Sequence, residues 1–386
     1  MISWKNENEQ LYMIYIYSFI NFTVWGNESM SKQKFRDYRL SGPNNQIAKD
    51  KGLVTTEWYQ TPIPRQRMKE LTKRRNGPAI RDTILWLALL IGSGVAGYQL
   101  WGTWWALLAF VFYGIFYTAA DARWHECGHG TAFKTAWMND VVYYIASFMY
   151  LRPATAWRWS HQRHHSDTFV AGRDPEIMQR PSLLRMLYLS FINLFTPPNE
   201  IKRIIIHAFG RLLPDEQDYV PSTEKRKVYW EARIYLIIIL SVVALSIITW
   251  DIRPLLYIIT PLFYGSWIWV IYVYPQHIGL HEDVLDHRLN TRTVYMNPFI
   301  RFLYLNMNYH IEHHMFPLVP YYNLRALHEE MKHDCPAPSP NMWSAFKEVY
   351  HSFKMQSANP YYVIERPLPP TANPYYYGPA PYLKTN

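Results

Sequence analysis

A chain of 386 residues is long enough to bury a sizeable core, which excludes a disordered or peptide-sized scaffold. Apolar residues make up 49% and aromatic residues 17% against only 18% charged, a balance that excludes an ordinary soluble protein and points to a membrane. The net charge of +9 comes without a basic, aromatic-interleaved nucleic-acid motif, so nucleic acid is not an expected partner. With only Cys127 and Cys335, a disulfide framework is excluded and a reducing compartment fits.

Residues 1–64 read as an N-terminal cytoplasmic segment. Leu11 to Trp25 is an apolar run beside Glu7 and Glu9, without the basic start or small-residue cleavage site of a secretory signal. Residues 1–29 therefore read as an extension upstream of an initiation near Met30. A second region, 65–358, carries four apolar stretches near the length of about 20 residues needed to cross a bilayer. These spans, near 83–101, 104–120, 234–250 and 254–275, form two hairpins, the first turning at Gly102 and Thr103 and the second at Asp251 to Arg253. Arg74, Arg75 and Arg81 precede the first span and Lys225, Arg226 and Lys227 the third. The positive-inside bias then puts both termini and the central loop in the cytoplasm.

Asn139 to Leu151 is apolar but too short to span, and reads as an interfacial or buried helix. The tail, 359–386, is rich in Pro and Tyr and reads as an extended arm. The expected fold is thus an all-α integral membrane protein with four transmembrane helices in two hairpins and a cytoplasmic helical cap that carries a metal site.

That site follows from three histidine groups: His125 and His129, then His161, His164 and His165, then His310, His313 and His314. Residues three and four apart share a helix face, so each group can aim two or three imidazoles at one point. All three lie at predicted cytoplasmic ends of the bundle. Eight imidazoles exceed the capacity of one ion and suit two, of about four to six ligands each. Imidazole suits iron, copper, nickel and zinc, so spacing leaves the metal open. His277 and His281, after the fourth span, are further candidate ligands. Glu126 and Glu312 are candidate outer partners that fix an imidazole tautomer, and Asn306 and Asn308 are candidates to orient ligands or water. Asp167 and Asp174 are either such acceptors or turn residues. His207, His287, His328, His333 and His351 read as ordinary histidines.

His125 to His129 is also a literal H-E-x-x-H, the zinc protease motif in which Glu126 would be the general base. Two further three-histidine groups are superfluous for that chemistry. A non-catalytic histidine-rich metal-binding membrane protein is the other alternative; it calls for polar residues lining a path through the spans, which carry essentially no charged residue and no histidine.

At HECGHGTAF (125–133), WSHQRHH (159–165) and NYHIEHHMFP (308–317) the sequence resembles the membrane fatty-acid desaturase and hydroxylase superfamily, over roughly Arg65 to Lys332. It looks most similar to the bacterial branch of hydrocarbon oxygenases that includes the rhizopine-catabolism oxygenase. The resemblance implies two non-haem iron ions held by the eight box histidines, O2 as co-substrate, and oxidation of a fatty acyl or other hydrophobic chain. In a bacterium it implies the inner (plasma) membrane. No haem-binding HPGG, Cys-rich iron–sulfur or Gly-rich dinucleotide pattern is present. A separate ferredoxin or Rieske-type electron donor with its reductase is therefore the expected partner, alongside the lipid-like substrate and membrane lipids.

Overall fold

The computed structural model describes residues 36–177, 193–194 and 196–378, apart from the side chains at 269 and 271. The run at Leu11–Trp25, the proposed extension 1–29 and the end of the tail lie outside them. The chain divides into two units, Met1–Arg36 and Asp37–Asn386, and all the helices below belong to the second.

After α1 (Asn44–Asp50) and α2 (Arg65–Leu71), α3 (Asn76–Gln99) is a long apolar helix that ends at a turn where Gly102 takes φ +85°, a conformation costing glycine little. The chain reverses into α4 (Trp104–Thr118), which runs on through Ala119 into α5 (Ala120–Gly128). The first expected hairpin is present, but it begins at Asn76 rather than Thr83 and its second arm continues past Ala120. Among the described residues, three segments are long and apolar enough to cross a membrane: Arg65–Gln99, Trp104–Gly128 and Lys225–Thr249. Their outward faces carry Ile84, Ile91, Leu107, Ile237 and Ile248, all exposed, as lipid-facing helices require. Trp104 (87% exposed) and Trp250 (95%) stand at the two hairpin turns, where amphipathic rings anchor to an interface.

Past α6 (Ala136–Met149), α7 (Ala154–Ser166), α8 (Thr196–Ala208) and α9 (Glu216–Tyr219), the third span is α10 (Lys225–Thr249). The expected fourth span is not one continuous helix. It is α11 (Arg253–Ile258) and α12 (Pro261–His277), separated at Ile259 and Thr260, because Pro261 has no N–H with which to continue the helical ladder. α12 lies against α4 with backbone in contact with backbone: a Cβ built on Gly265 would stand 2.3 Å from the Gly114 carbonyl oxygen. Thr118 Oγ1 also donates to the Gly265 carbonyl at 3.1 Å. Small residues at such crossings let helices approach closely in lipid.

α6 covers the short Asn139–Leu151 stretch and is one-sided, with Tyr143 and Ala146 buried and Trp137, Val141 and Ile145 exposed. The remaining helices, α13 (His287–Asn290), α14 (Pro298–Leu303), α15 (His310–Met315), α16 (Leu324–Met331) and α17 (Met342–Ala358), build a cap. No strand occurs among the described residues, where Val294 and Ser339 form an isolated bridge. One continuous apolar core joins Trp86 and Tyr113 of the spans to Leu303, Ile311 and Leu327 of the cap. The tail forms no helix or strand from 362 through 378 and turns at 370–372, where Ala372 N donates to the Pro369 carbonyl at 3.0 Å.

Candidate metal centre

Each histidine group rides on a helix end fixed by its own local chemistry. His125 lies on α5 and His129 is its C-terminal cap residue. α7 carries His161, His164 and His165, and its N-terminus is held by Glu231 of α10, which accepts from Thr155 N (2.8 Å) and Thr155 Oγ1 (2.6 Å). Arg152 ties α5 to α7, bonding Asp121 at 3.0 Å and stacking its guanidinium over Trp124 and Trp157. α15 carries His310, His313 and His314 after a tight turn in which Leu305 and Asn306 take φ +46° and +53°.

The fold brings all eight box histidines together with His277, in two groups. In the first, His125, His129, His161, His165 and His313 offer ring nitrogens within 4.8 Å of one another. His313 Nε2 stands 2.6 Å from His125 Nε2 and 3.2 Å from His165 Nε2, and His161 Nε2 stands 3.1 Å from His129 Nε2. The second group is His164, His277 and His314, with His310 Nε2 at 3.1 Å from both His277 and His314. The two groups touch where the His165 and His314 rings stack at 4.3 Å.

Outer partners decide what these nitrogens can do. His161 Nδ1 faces Glu176 Oε1 at 2.9 Å, His164 Nδ1 faces Asp174 Oδ2 at 2.8 Å, and His277 Nδ1 faces the Asn290 carbonyl at 2.9 Å. Thr168 Oγ1 donates to the His164 carbonyl and so accepts from His314 Nδ1 at 3.2 Å. All four acceptors require the proton on Nδ1, so in the neutral ring the Nε2 lone pair points inward. Lone pairs crowded this closely repel unless a cation sits among them, so the donor set fits two metal ions of the imidazole-loving kind.

Several expected partners play other roles. Glu126 does not fix a box histidine: its Oε1 accepts from Thr131 Oγ1 (2.7 Å) and Tyr321 N (3.2 Å), because the helix turns it away from the face that His125 and His129 share. A protease general base would have to face the metal, so the H-E-x-x-H reading loses its Glu. Glu312 does contact an imidazole, but that of His328, at 2.5 Å, while its other oxygen accepts from Thr293 at 2.6 Å. Asn306 shapes the turn before α15, donating to the Tyr321 carbonyl at 3.1 Å, and Asn308 pins Val294 through its carbonyl at 2.8 Å. His281 lies outside both groups and pairs with Glu365 at 3.2 Å. Asp174 is an imidazole acceptor, whereas Asp167 pairs with Arg163 and Arg173. Glu176, Thr168 and the Asn290 carbonyl were not anticipated. The legible signal for Glu176 was its place in Arg-Asp-Pro-Glu just past the second group.

Glu176→Gln should weaken metal binding about 10–100-fold, the usual cost of losing an outer partner, while Glu126→Gln leaves it unchanged. Chelator competition on the purified protein measures both.

Burial first, then the neighbouring imidazoles, hold His129, His165, His310, His313 and His314 well below the ordinary 6.5, in the neutral form that ligates metal. In metal-free protein the unfolded chain therefore binds more protons below pH 6.5. Stability from these groups is present above that pH and drains away as pH falls towards their folded values. His164 runs the other way. Burial lowers it, but Asp174 and Glu176 outweigh burial and push it up to about 9, so its contribution is full below 6.5 and lost as pH rises through 9. With the lowered imidazoles outnumbering the raised one, the melting temperature of chelator-treated protein should fall steeply from pH 7 to pH 5. Acid-insensitive melting would contradict the neutral assignment.

Comparison with known proteins agrees with this geometry. The family model described as fatty acid desaturase matches residues 102–346, more than half of the chain. The chain is 30% identical over 113 residues to a Delta(12)-acyl-lipid-desaturase of Punica granatum, covering 29% of this chain and 27% of that protein. It is 23% identical over 293 residues to an acyl-lipid omega-3 desaturase (cytochrome b5), endoplasmic reticulum, of Arabidopsis thaliana, covering 70% and 74%. To an sn-2 acyl-lipid omega-3 desaturase (ferredoxin), chloroplastic, of Helianthus annuus it is 22% identical over 278 residues, covering 66% and 60%. The chain thus spans less than two thirds of the first and third of these relatives. With all three histidine groups inside the matched segment, the chain belongs to the fatty acid desaturase family.

Proposed function

We propose that this chain is an integral membrane, O2-dependent oxidoreductase that uses two non-haem iron ions to desaturate or hydroxylate a fatty acyl or similar hydrophobic chain. The carrying observation is the pair of imidazole groups with inward lone pairs, five around one centre and four around the other. His125, His129, His161, His165 and His313 would hold one ion, and His164, His277, His310 and His314 the other. Bound there, iron would supply an oxidant strong enough to break an unactivated C–H bond, which no side chain can do.

The protein's own residues do the rest. Asp174 and Glu176 hold two rings in orientation, and Trp124, backed by Trp157 and Tyr143, packs against His125 and His161 of the first group. Desaturation removes two hydrogens from neighbouring carbons, and O2 with two electrons and two protons leaves as two waters. Hydroxylation keeps one oxygen in the product, and the motif resemblance to the hydrocarbon-oxygenase branch keeps it beside desaturation. The electrons come from a separate ferredoxin or Rieske-type protein with its reductase. Two relatives carry a donor in their names, cytochrome b5 in one and ferredoxin in the other.

We read Arg253–His277 as a fourth crossing in two pieces, about 37 Å long at 1.5 Å per residue, completing the second hairpin. In that arrangement the second and fourth crossings both end at histidines, His125 and His277, on the side from which the basic flanks of the first and third depart. That side is the cytoplasm by the positive-inside bias, and with it both termini.

The test compares lipids and small hydrophobic metabolites from cells expressing the wild-type chain with those from cells expressing His164→Ala. New unsaturated or hydroxylated products should appear only with the wild type, and purified protein given NAD(P)H and O2 without a donor should form none. Matching profiles from the two strains would remove the catalytic reading.

A further inference from the structure

The Pro/Tyr-rich tail returns across the cap and bonds the loop that supports the second imidazole group. That loop, 278–292, carries little regular structure of its own beyond the four residues of α13. Yet it sets two of the histidines. Asn290 offers its carbonyl to His277 Nδ1, and the His287 ring lies 5.2 Å from the His314 ring, backed by Trp58 stacked at 4.4 Å. Ordering such a loop costs conformational entropy that its own contacts must offset.

The tail meets it at three places. Ile364 N donates to the Gly279 carbonyl at 2.8 Å, and Glu365 Oε1 stands 3.2 Å from His281 Nε2. The third is a buried hub at Arg288. Its guanidinium pairs with Asp286 at 2.7 Å and Asp334 at 3.0 Å, all three side chains at most 1% exposed. It then donates to the carbonyls of Asn373 (3.1 Å) and Pro374 (2.9 Å) in the tail. The tail returns two donors: Asn373 N to Asp334 at 2.8 Å and Tyr376 N to Asp286 at 3.1 Å. Asp286 is also the N-cap of α13, accepting from Arg288 N at 2.9 Å. Without the tail, a buried arginine and two buried carboxylates each lose hydrogen-bond partners, a costly state that the loop escapes by opening to water.

We propose that the tail from Ile364 to Gly378 is a clamp acting through Arg288, which holds the 278–292 loop and thereby keeps the second group, His164, His277, His310 and His314, able to retain its ion. Arg288 is a positioning residue. None of the five histidines of the first group bonds this loop or the tail among the described contacts, so the dependence is one-sided. The proposal rests on reading the two imidazole groups as metal sites.

The experiment loads full-length protein and a version ending at Ala358 with ferrous iron anaerobically in detergent, then follows iron per chain and its release to a chelator. Full-length protein should hold about two irons. The shortened chain should hold about one, with the other released at least tenfold faster. The remaining iron should be lost on adding His129→Ala but not on adding His277→Ala. Two full-length variants, Arg288→Gln and Ile364→Pro, should show the same selective loss in graded form, and they decide the matter if the shortened chain fails to fold. Two irons with unchanged release in folded variants would overturn the clamp alone, as would equal loss from both groups. Wild-type protein that takes up no iron would overturn the metal reading and the clamp with it.

Discussion

On the proposed two-iron reading, replacing His313 with alanine is expected to leave a folded membrane protein that has lost the iron of the first imidazole group and all measurable oxidation. His313 is fully buried and belongs to a group of five, 2.6 Å from His125 and 3.2 Å from His165. Its ring supplies a donor, and the substitution leaves a gap that no neighbouring side chain in this imidazole-only group can fill with another kind of ligand. Loss of an outer partner costs about 10–100-fold in metal affinity or activity, so loss of the donor itself should exceed about a hundredfold. Iron per chain and product yield in membranes, measured together, check it. Full iron content in the variant would show that the five rings do not share an ion.

Gly265→Ala is expected to be the most destabilising single-atom-scale change in the membrane region, at about 3 kcal/mol or more. The added Cβ would stand 2.3 Å from the Gly114 oxygen and 2.8 Å from its Cα, both backbone atoms of a neighbouring helix that cannot swing aside as a side chain would. Overpacking in a well-filled interior costs about 1–3 kcal/mol. Here separating α4 from α12 also stretches the Thr118 bond to the Gly265 carbonyl. α12 ends at His277, so its displacement should weaken iron retention in the second group more than in the first. Thermal unfolding in detergent with parallel iron analysis measures both effects. A variant that melts like the wild type would mean the two helices are not in backbone contact.

Much of the architecture was legible because membranes simplify the code. In lipid every backbone group must be satisfied within the helix, so apolar length alone marks a span. That logic placed the far ends of α3, α4 and α10 to within two residues, but began α3 seven residues late and α10 nine, because their polar first turns lie outside the apolar stretch. It missed the break at Thr260, where Pro261 interrupts the helix in a stretch whose hydropathy carries no mark of it. The tail's lack of helix over 359–378 followed from its prolines. Its bonds to Arg288 did not, since partners 85 and 86 residues apart leave no trace in local composition.

The sequence by itself determined which histidines can ligate and that they gather at one end of the bundle, because spacings of three and four residues repeat one helix face and each group follows a span or faces its end. Only the tertiary structure decided how they divide. His164 and His165 are neighbours in the chain yet belong to different groups, as do His313 and His314, because successive residues on a helix point about 100° apart and the packing of α5, α7, α12 and α15 sets which centre each direction meets. The same packing chose His277 over His281, and drew Asp174 and Glu176, rather than Glu126, to the rings. An outer partner needs only reach and direction in space, which spacing along the chain does not encode.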